Sequence, residues 1–343
     1  MATNNYSLFL SKFKGVSHMD TATHIAMGVA LGGIATADPT ISENPVLFGA
    51  VLVGTIVGSH APDFDTVLKL KSNAVYLRHH RGITHSIPLV LFWGWFISAL
   101  IYIAVPNLDY GILYRWTALA VVIHVFVDIF NAYGTQALRP FSNRWIALGF
   151  INTFDPVIFV AHIIGFVLWG LGLDPTIVFL SIYFLLIFYY IKRYLEKKTM
   201  VKKLTLYFGN VEGVYASPTI KQGIWRLAIT TEDGFYVARA IGGTIQIVHK
   251  FDRVPLPNNR LIATAKTDEN VAAFLSFSSV YRHEITEYDH YTEVRFIDLR
   301  YRAKDHYPFV AVVNISDNLD ILSSYTGWVF SEEKLQDKLL IEE

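Results

Sequence analysis

Apolar and polar positions divide the chain into two parts of different character. Before Lys192 the sequence runs in long apolar stretches at Ala22–Ala37, Val46–Ser59, Ile87–Val105, Trp116–Phe130, Val157–Leu173 and Thr176–Ile191, separated by short polar segments. Crossing a bilayer core takes ~20 apolar residues, with ~17 as the lower end. Ile87–Val105 and Val157–Leu173 therefore read as spans and Thr176–Ile191 as a further one, while the first two runs are short enough to be tilted or partial spans or buried helices. The fold class expected is an α-helical polytopic membrane bundle of about four to six membrane helices followed by a small β-rich (α+β) cytoplasmic domain.

The second part begins near Leu204, where short alternating runs rich in β-branched and aromatic residues take over: Leu204–Phe208, Trp225–Thr230, Phe235–Ala240, Thr244–Phe251, Thr292–Leu299 and Phe309–Asn314. These predict strands. Glu232-Asp233-Gly234 and Gly242-Gly243 supply hairpin turn chemistry, and Asn270–Ser279 has apolar positions suited to a helix. Pro255–Asn259 reads as an internal loop. The domain division expected is 1–18 as an N-terminal extension, 19–198 as the membrane-embedded part and 199–343 as the β-rich part.

Composition agrees with a membrane protein: 52% of residues are hydrophobic and only 17% charged, against about 25% charged in ordinary soluble domains. Net charge is zero, with 29 basic and 29 acidic residues, so there is no basic footprint and no direct nucleic-acid binding is expected. Cysteine is absent, which excludes disulfides, thiolate metal sites and a thiol nucleophile. Charge placement is more informative than charge total. With six spans and both termini inside, Lys12, Lys14, Lys69, Lys71, Arg78, Arg81, Arg139, Arg144 and the cluster from Lys192 to Lys203 lie on one side, and only Arg115 on the other. The positive-inside rule then places both termini in the cytoplasm.

On that topology the polar interruptions of the apolar part arrive at one level near the cytoplasmic face. They are His24, the segment Pro62-Asp63-Phe64-Asp65, the segment His79 to Ser86, and His124 with Asp128. Ionisable groups in or beside membrane helices are costly and mark function. His124 and Asp128 stand four residues apart and share a helix face, while Pro62 favours a turn that frees Asp63 and Asp65. Imidazole and carboxylate together suit zinc, manganese or iron, as one or two divalent ions. The expected ligands are His24, Asp63, Asp65, His80, His85, His124 and Asp128, with Asp65 doubling as a general base and Arg81 as an anion clamp. Asp20 and Thr21 are expected to cap the first helix, Asp155 to cap the fifth rather than serve as an outer ligand, and His162 to serve packing or to support the ligands. Phosphate-loop, zincin and serine-hydrolase motifs are absent from the sequence.

Taken together, Met19-Asp-Thr-Ala-Thr-His24, Pro62-Asp63-Phe64-Asp65, His80-Arg81-Gly82-Ile83-Thr84-His85-Ser86 and His124-x-x-x-Asp128, followed by Gly134 and Pro140, resemble the YdjM/YfhP-type family of inner-membrane-associated metal-dependent hydrolases. The resemblance covers about Met19–Leu195, and the C-terminal part is similar to the YfhP-like members. It implies a metal-dependent hydrolase in the bacterial cytoplasmic membrane. Some members are described as LexA-binding or as regulators of neighbouring genes, and a helical His-x-x-x-Asp is also similar to zinc-dependent phospholipase C and nuclease folds. The leading expectation is hydrolysis of a phosphoester or of a membrane lipid or lipid-linked substrate by a metal-activated water. A membrane-anchored regulator that binds a protein partner through its C-terminal domain is the alternative, and a metal or proton transporter a third reading.

Overall fold

The computed structural model of this chain describes residues 16–303 and 305–339, with the backbone alone for residues 16–20. The extension expected over 1–18 lies outside the described residues except for Val16–His18, which already belong to a helix. Two compact units form. The first comprises residues up to Phe64 together with Arg81–Lys197, and the second comprises Asp65–His80 together with Lys198 onward.

The first unit is helical. Its elements are α1 (Val16–Ile34), a single turn at Pro39–Ser42, α2 (Pro45–Gly58), the 3-10 segment that starts at Ala61, then, after Arg81, a 3-10 turn at Ile83–His85, α4 (Ile87–Ala104), α5 (Tyr110–Asp128), α6 (Pro156–Gly170) and α7 (Pro175–Phe208). Starts are capped as the sequence allows. Asn44, Asp109 and Asp155 accept backbone N–H groups of the first turns of α2, α5 and α6, and Pro45 and Pro156 stand where no helical N–H is needed. Helix α1 begins at Val16, so Asp20 and Thr21 sit within it and are not its caps, contrary to expectation.

Among the described residues, three helices are long and apolar enough to cross a membrane: α4, α5 and α7. Helix α2 with the 3-10 segment after it makes a fourth as one span bent by 47°. Helix α6, expected to span over Val157–Leu173, is 15 residues long, and at 1.5 Å per residue that falls short of the ~30 Å core. Outward-facing Leu91, Phe92, Trp95, Leu180, Phe184 and Phe188 are exposed on α4 and α7, which suits lipid and not water. Small residues let these helices approach closely. A Cβ on Gly28 of α1 would stand 2.5 Å from Ser59 Oγ, and one on Gly58 of α2 would stand 2.8 Å from the Thr117 carbonyl of α5.

The second unit holds two four-stranded antiparallel meanders. The first contains β1 (Val211–Pro218), β2 (Ile224–Thr231), β3 (Gly234–Ile241) and β4 (Thr244–Asp252). Helices α8 (Arg260–Thr267) and α9 (Glu269–Phe277) lead to the second, β5 (Tyr281–Glu287), β6 (Tyr291–Asp298), β7 (Phe309–Ser316) and β8 (Ile321–Trp328), and α10 (Glu332–Leu339) follows. Gly242 and Gly243, at φ +56° and +85°, form the two-residue turn between β3 and β4, the conformation such hairpins require. Strand β7 lacks alternation because both its faces are covered. Phe274 of α9 packs on Phe296 and Phe309, while Leu335 and Leu339 of α10 pack with Ile297, Val310 and Val312. Leu204–Phe208, expected as a strand, is the last turn of α7; an alternating pattern that short is overridden by the helix it continues. Strands β1, β5 and β8 escaped the sequence reading.

The two sheets share a core of Ala228, Val237, Val280 and Leu299. Beside it Asp298 and Arg300 form a buried ion pair at 2.6 Å, with Ser278 donating to Asp298 and the guanidinium stacked near Tyr215, Phe277 and Tyr301. Within this unit the excursion Asp65–His80 folds against the C-terminal elements. Its helix α3 (Asn73–His79) packs on α9, Asn73 donates to the Thr326 carbonyl at 3.1 Å, and Arg78 reaches the Glu269 carbonyl at 3.4 Å.

Overpacking the α2–α5 contact should be visible directly. Gly58→Val is expected to destabilise the protein by about 1–3 kcal/mol, read as a lowered Tm in detergent, while Gly49→Val, whose added Cβ meets nothing within 4 Å, leaves it unchanged.

Candidate metal centre

The end of α2, the start of α4 and the end of α5 meet at one end of the helical unit, and each brings ligating side chains. Pro62 follows the break after α2 and puts Asp63 on the 3-10 segment. His85 ends the 3-10 turn that leads into α4. His124 and Asp128 occupy the last two turns of α5, on its buried face.

Four atoms converge. His85 Nε2 lies 3.7 Å from Asp63 Oδ1 and 3.3 Å from Asp128 Oδ2, and His124 Nε2 lies 3.7 Å and 3.6 Å from the same two oxygens. All four are within 4.8 Å of one another. Two ligand atoms about 2.1 Å from one ion at a tetrahedral angle are about 3.4 Å apart, which is the spacing seen. It is long for a direct hydrogen bond, and Asp63 Oδ1, His124 Nε2 and Asp128 Oδ2 make none despite their burial. Asp65 and His80, a His–Asp pair in the same protein, close to 2.8 Å. The four-atom set keeps the separation of ligands around a cation, and two buried carboxylates beside the one guanidinium of Arg81 leave negative charge for a divalent ion to neutralise.

The surroundings orient these atoms. His124 Nδ1 is 2.7 Å from the Ser59 carbonyl. Only a protonated Nδ1 can bond a carbonyl, so in the neutral imidazole it is the Nε2 lone pair that is directed at the cluster. His85 Nδ1 is 3.0 Å from Thr84 Oγ1. Asp128 turns Oδ2 inward, and its Oδ1 receives Asn131 Nδ2 at 3.2 Å, with Arg81 Nη2 at 3.4 Å and His24 Nε2 at 3.6 Å. Arg81 takes φ +58°, a costly conformation for a side-chain-bearing residue. Its carbonyl is held by Thr135 Oγ1 and the Gln136 N–H, each at 3.0 Å.

The expected residues therefore separate. Asp63, His85, His124 and Asp128 form the four-atom set. His24 stacks on His124 with ring centroids 3.9 Å apart and meets the outer oxygen of Asp128. Arg81 is buried and turned onto that same oxygen. Asp65 and His80 pair with each other, with Tyr76 stacked on His80, and keep ligand atoms of metal-binding type. Asp155 caps α6 and accepts from Tyr189, and His162 is satisfied by the Ile158 carbonyl and the Tyr183 hydroxyl.

Asn131 and the Ser59 carbonyl were missed. Asn131 Oδ1 accepts the N–H groups of Tyr133 and Gly134 at 2.9 and 2.8 Å, an Asx turn that the run Asn131-Ala132-Tyr133-Gly134 signals. Gly134 is at φ +66°, and a Cβ there would collide with the Ile146 carbonyl. A backbone carbonyl such as that of Ser59 leaves no trace in a sequence.

Comparison with known proteins gives a consistent picture. The family described as "YdjM inner membrane protein" matches residues 19–200. The "YfhP middle domain" matches 209–251 and the "YfhP C-terminal alpha/beta plait domain" 260–339. "Uncharacterized protein YfhP" of Bacillus subtilis (strain 168) is 55% identical over 322 residues, covering 94% of this chain and 98% of that protein. No solved structure matches.

Asn131 offers a test of the supporting shell. Asn131→Ala is expected to cost about 1–3 kcal/mol through the unsatisfied groups it leaves. Asn131→Asp keeps the turn acceptor but places a carboxylate beside Asp128. Thermal unfolding should show Asn131→Asp recovering only part of the loss.

Proposed function

This chain belongs to the YdjM inner membrane protein family, with the middle and C-terminal domains of YfhP, and we propose that it is a membrane-bound metal-dependent hydrolase acting at the cytoplasmic face. One observation carries the reading: four buried His and Asp atoms from three separated segments stand 3.3–3.7 Å apart along their His–Asp edges, all within 4.8 Å of one another. The residues fit one divalent ion, held by Asp63, His85, His124 and Asp128. Such an ion supplies Lewis acidity and makes water a nucleophile near neutral pH. Zinc suits this donor set best, with manganese or iron as alternatives.

The chain's own residues divide the remaining work. Arg81 and Asn131 fix the inward oxygen of Asp128 by engaging the outer one. Ser59 fixes the His124 tautomer. Asp63, the most accessible of the four with 10% of its side chain exposed, marks the side from which substrate approaches. A site at the ends of apolar helices lies where lipid headgroups lie, which supports a phosphoester or lipid-linked substrate. The excess of Lys and Arg on one set of loops supports a cytoplasmic location for that face and for both termini.

A second reading has its own observation. The cluster is closed, and the cavity beside His24 and His124 measures about 10 Å³, less than a substrate needs. Structural sites are closed, whereas catalytic ones keep a position open. A structural or sensory ion in a membrane-anchored regulator, which binds a protein partner through the C-terminal unit, fits that closure.

Elemental analysis of detergent-purified protein tests the common premise. About one equivalent of zinc, manganese or iron is expected in the wild type and loss of most of it in Asp128→Asn and His124→Ala; equal metal content in folded variants overturns both readings. Hydrolysis of bis-p-nitrophenyl phosphate or a phospholipid then separates them. The hydrolase reading expects turnover that falls at least about 100-fold in His85→Ala, and metal-loaded protein without turnover on either substrate favours the regulator.

A further inference from the structure

The second unit contains a cleft unrelated to the metal ligands. It is an open space of about 610 Å³ lined by β4, by β5 to β7 and by the segment 305–307, a volume within the ~300–1,000 Å³ of small-molecule sites. Strands β4 and β5 are the outer strands of their sheets, so the cleft is a product of how the two meanders share one core.

Its lining is aromatic and basic at once. Phe251 and Tyr307 pack edge to face at 5.7 Å, with their backs on the shared core. The Arg282 guanidinium lies 4.9 Å from the Phe251 ring centroid, and its Nη1 is 2.7 Å from Glu284. That leaves the buried Arg282 Nε with no hydrogen-bond partner, and a buried charged donor left unsatisfied is expensive. His249 Nδ1 is 2.8 Å from the Tyr307 hydroxyl, whose pKa burial pushes up to about 12, so that the hydroxyl stays protonated at neutral pH. His306 adds a further donor at the cleft, while the Lys250 ammonium lies over the Tyr236 ring on the other face of β4. The acid Asp305 is engaged by Arg302 at 3.1 Å. Arginine planes and aromatic rings stack on planar rings, and arginine and lysine donors bind phosphate.

We propose that this cleft binds a mononucleotide-like anion, its planar ring stacked among Phe251, Tyr307 and Arg282 and its phosphate met by Arg282 and His306. The C-terminal unit is thereby a small-molecule sensor joined to the membrane unit. The proposal does not rest on the metal centre.

Calorimetric titration of the full-length protein in detergent with AMP, UMP and inorganic phosphate tests it. At least one nucleotide is expected to bind, phosphate alone at least about tenfold more weakly, and Arg282→Gln to weaken nucleotide binding about tenfold or more. His306→Gln, at an exposed position, gives a smaller loss in the same direction and serves if Arg282→Gln misfolds. His124→Ala should bind nucleotide as the wild type does. No nucleotide heat at millimolar concentration with the sheets intact by circular dichroism would overturn the proposal. So would affinity unchanged in folded Arg282→Gln, or phosphate binding as tightly as nucleotide.

Discussion

Two carboxylates, Asp63 and Asp128, are buried in an apolar helical unit that offers them one guanidinium, and the rest of that unit is arranged around this cost. A carboxylate transferred from water without compensation would protonate or pull the structure apart. Here each carboxylate faces two imidazoles at ligand spacing, and Asp128 has its second oxygen occupied by Asn131, Arg81 and His24. The close approach of α2 to α5 at Gly58, the strained Arg81 backbone and the Asn131 turn all keep these charges in place. An ion bound here would find its ligands already fixed, which reduces what binding must spend on ordering them.

The same requirement accounts for where irregular backbone occurs. Ser59 to Asp63 and Arg81 to His85 leave regular α-helix at the site, and Asn131 to Gly134 follows it directly. In a membrane protein, backbone outside helices is tolerated where protein groups satisfy it. The Ser59 carbonyl is taken by His124, the Arg81 carbonyl by Thr135 and Gln136, and the Tyr133 and Gly134 N–H groups by Asn131. The polar breaks in the apolar part are thus both the source of the ligands and the framework that aims them.

The second unit solves a different problem. Two four-stranded meanders are joined by a common core and by the Asp298–Arg300 pair with its aromatic surround. The excursion Asp65–His80 is folded into this unit.

By itself the sequence determined the elements and the chemistry. Apolar run length marked the helices, although it overstated α6 because the run continued past the Gly170 end into the loop. The i,i+4 spacing of His124 and Asp128 and the turn at Pro62 marked ligands, because helix periodicity and proline geometry are local properties legible in order and spacing. Only the tertiary structure decided which candidates converge. Asp63, His85, His124 and Asp128 meet because three segments distant in sequence end together. His24 and Arg81 face the outer oxygen of Asp128, and Asp65 and His80 pair within the excursion. Strands β5 and β8 are half-exposed edge strands without the apolar alternation that marked the others, and the Ser59 carbonyl meets His124, 65 residues further along the chain, a contact that exists only once the chain has folded.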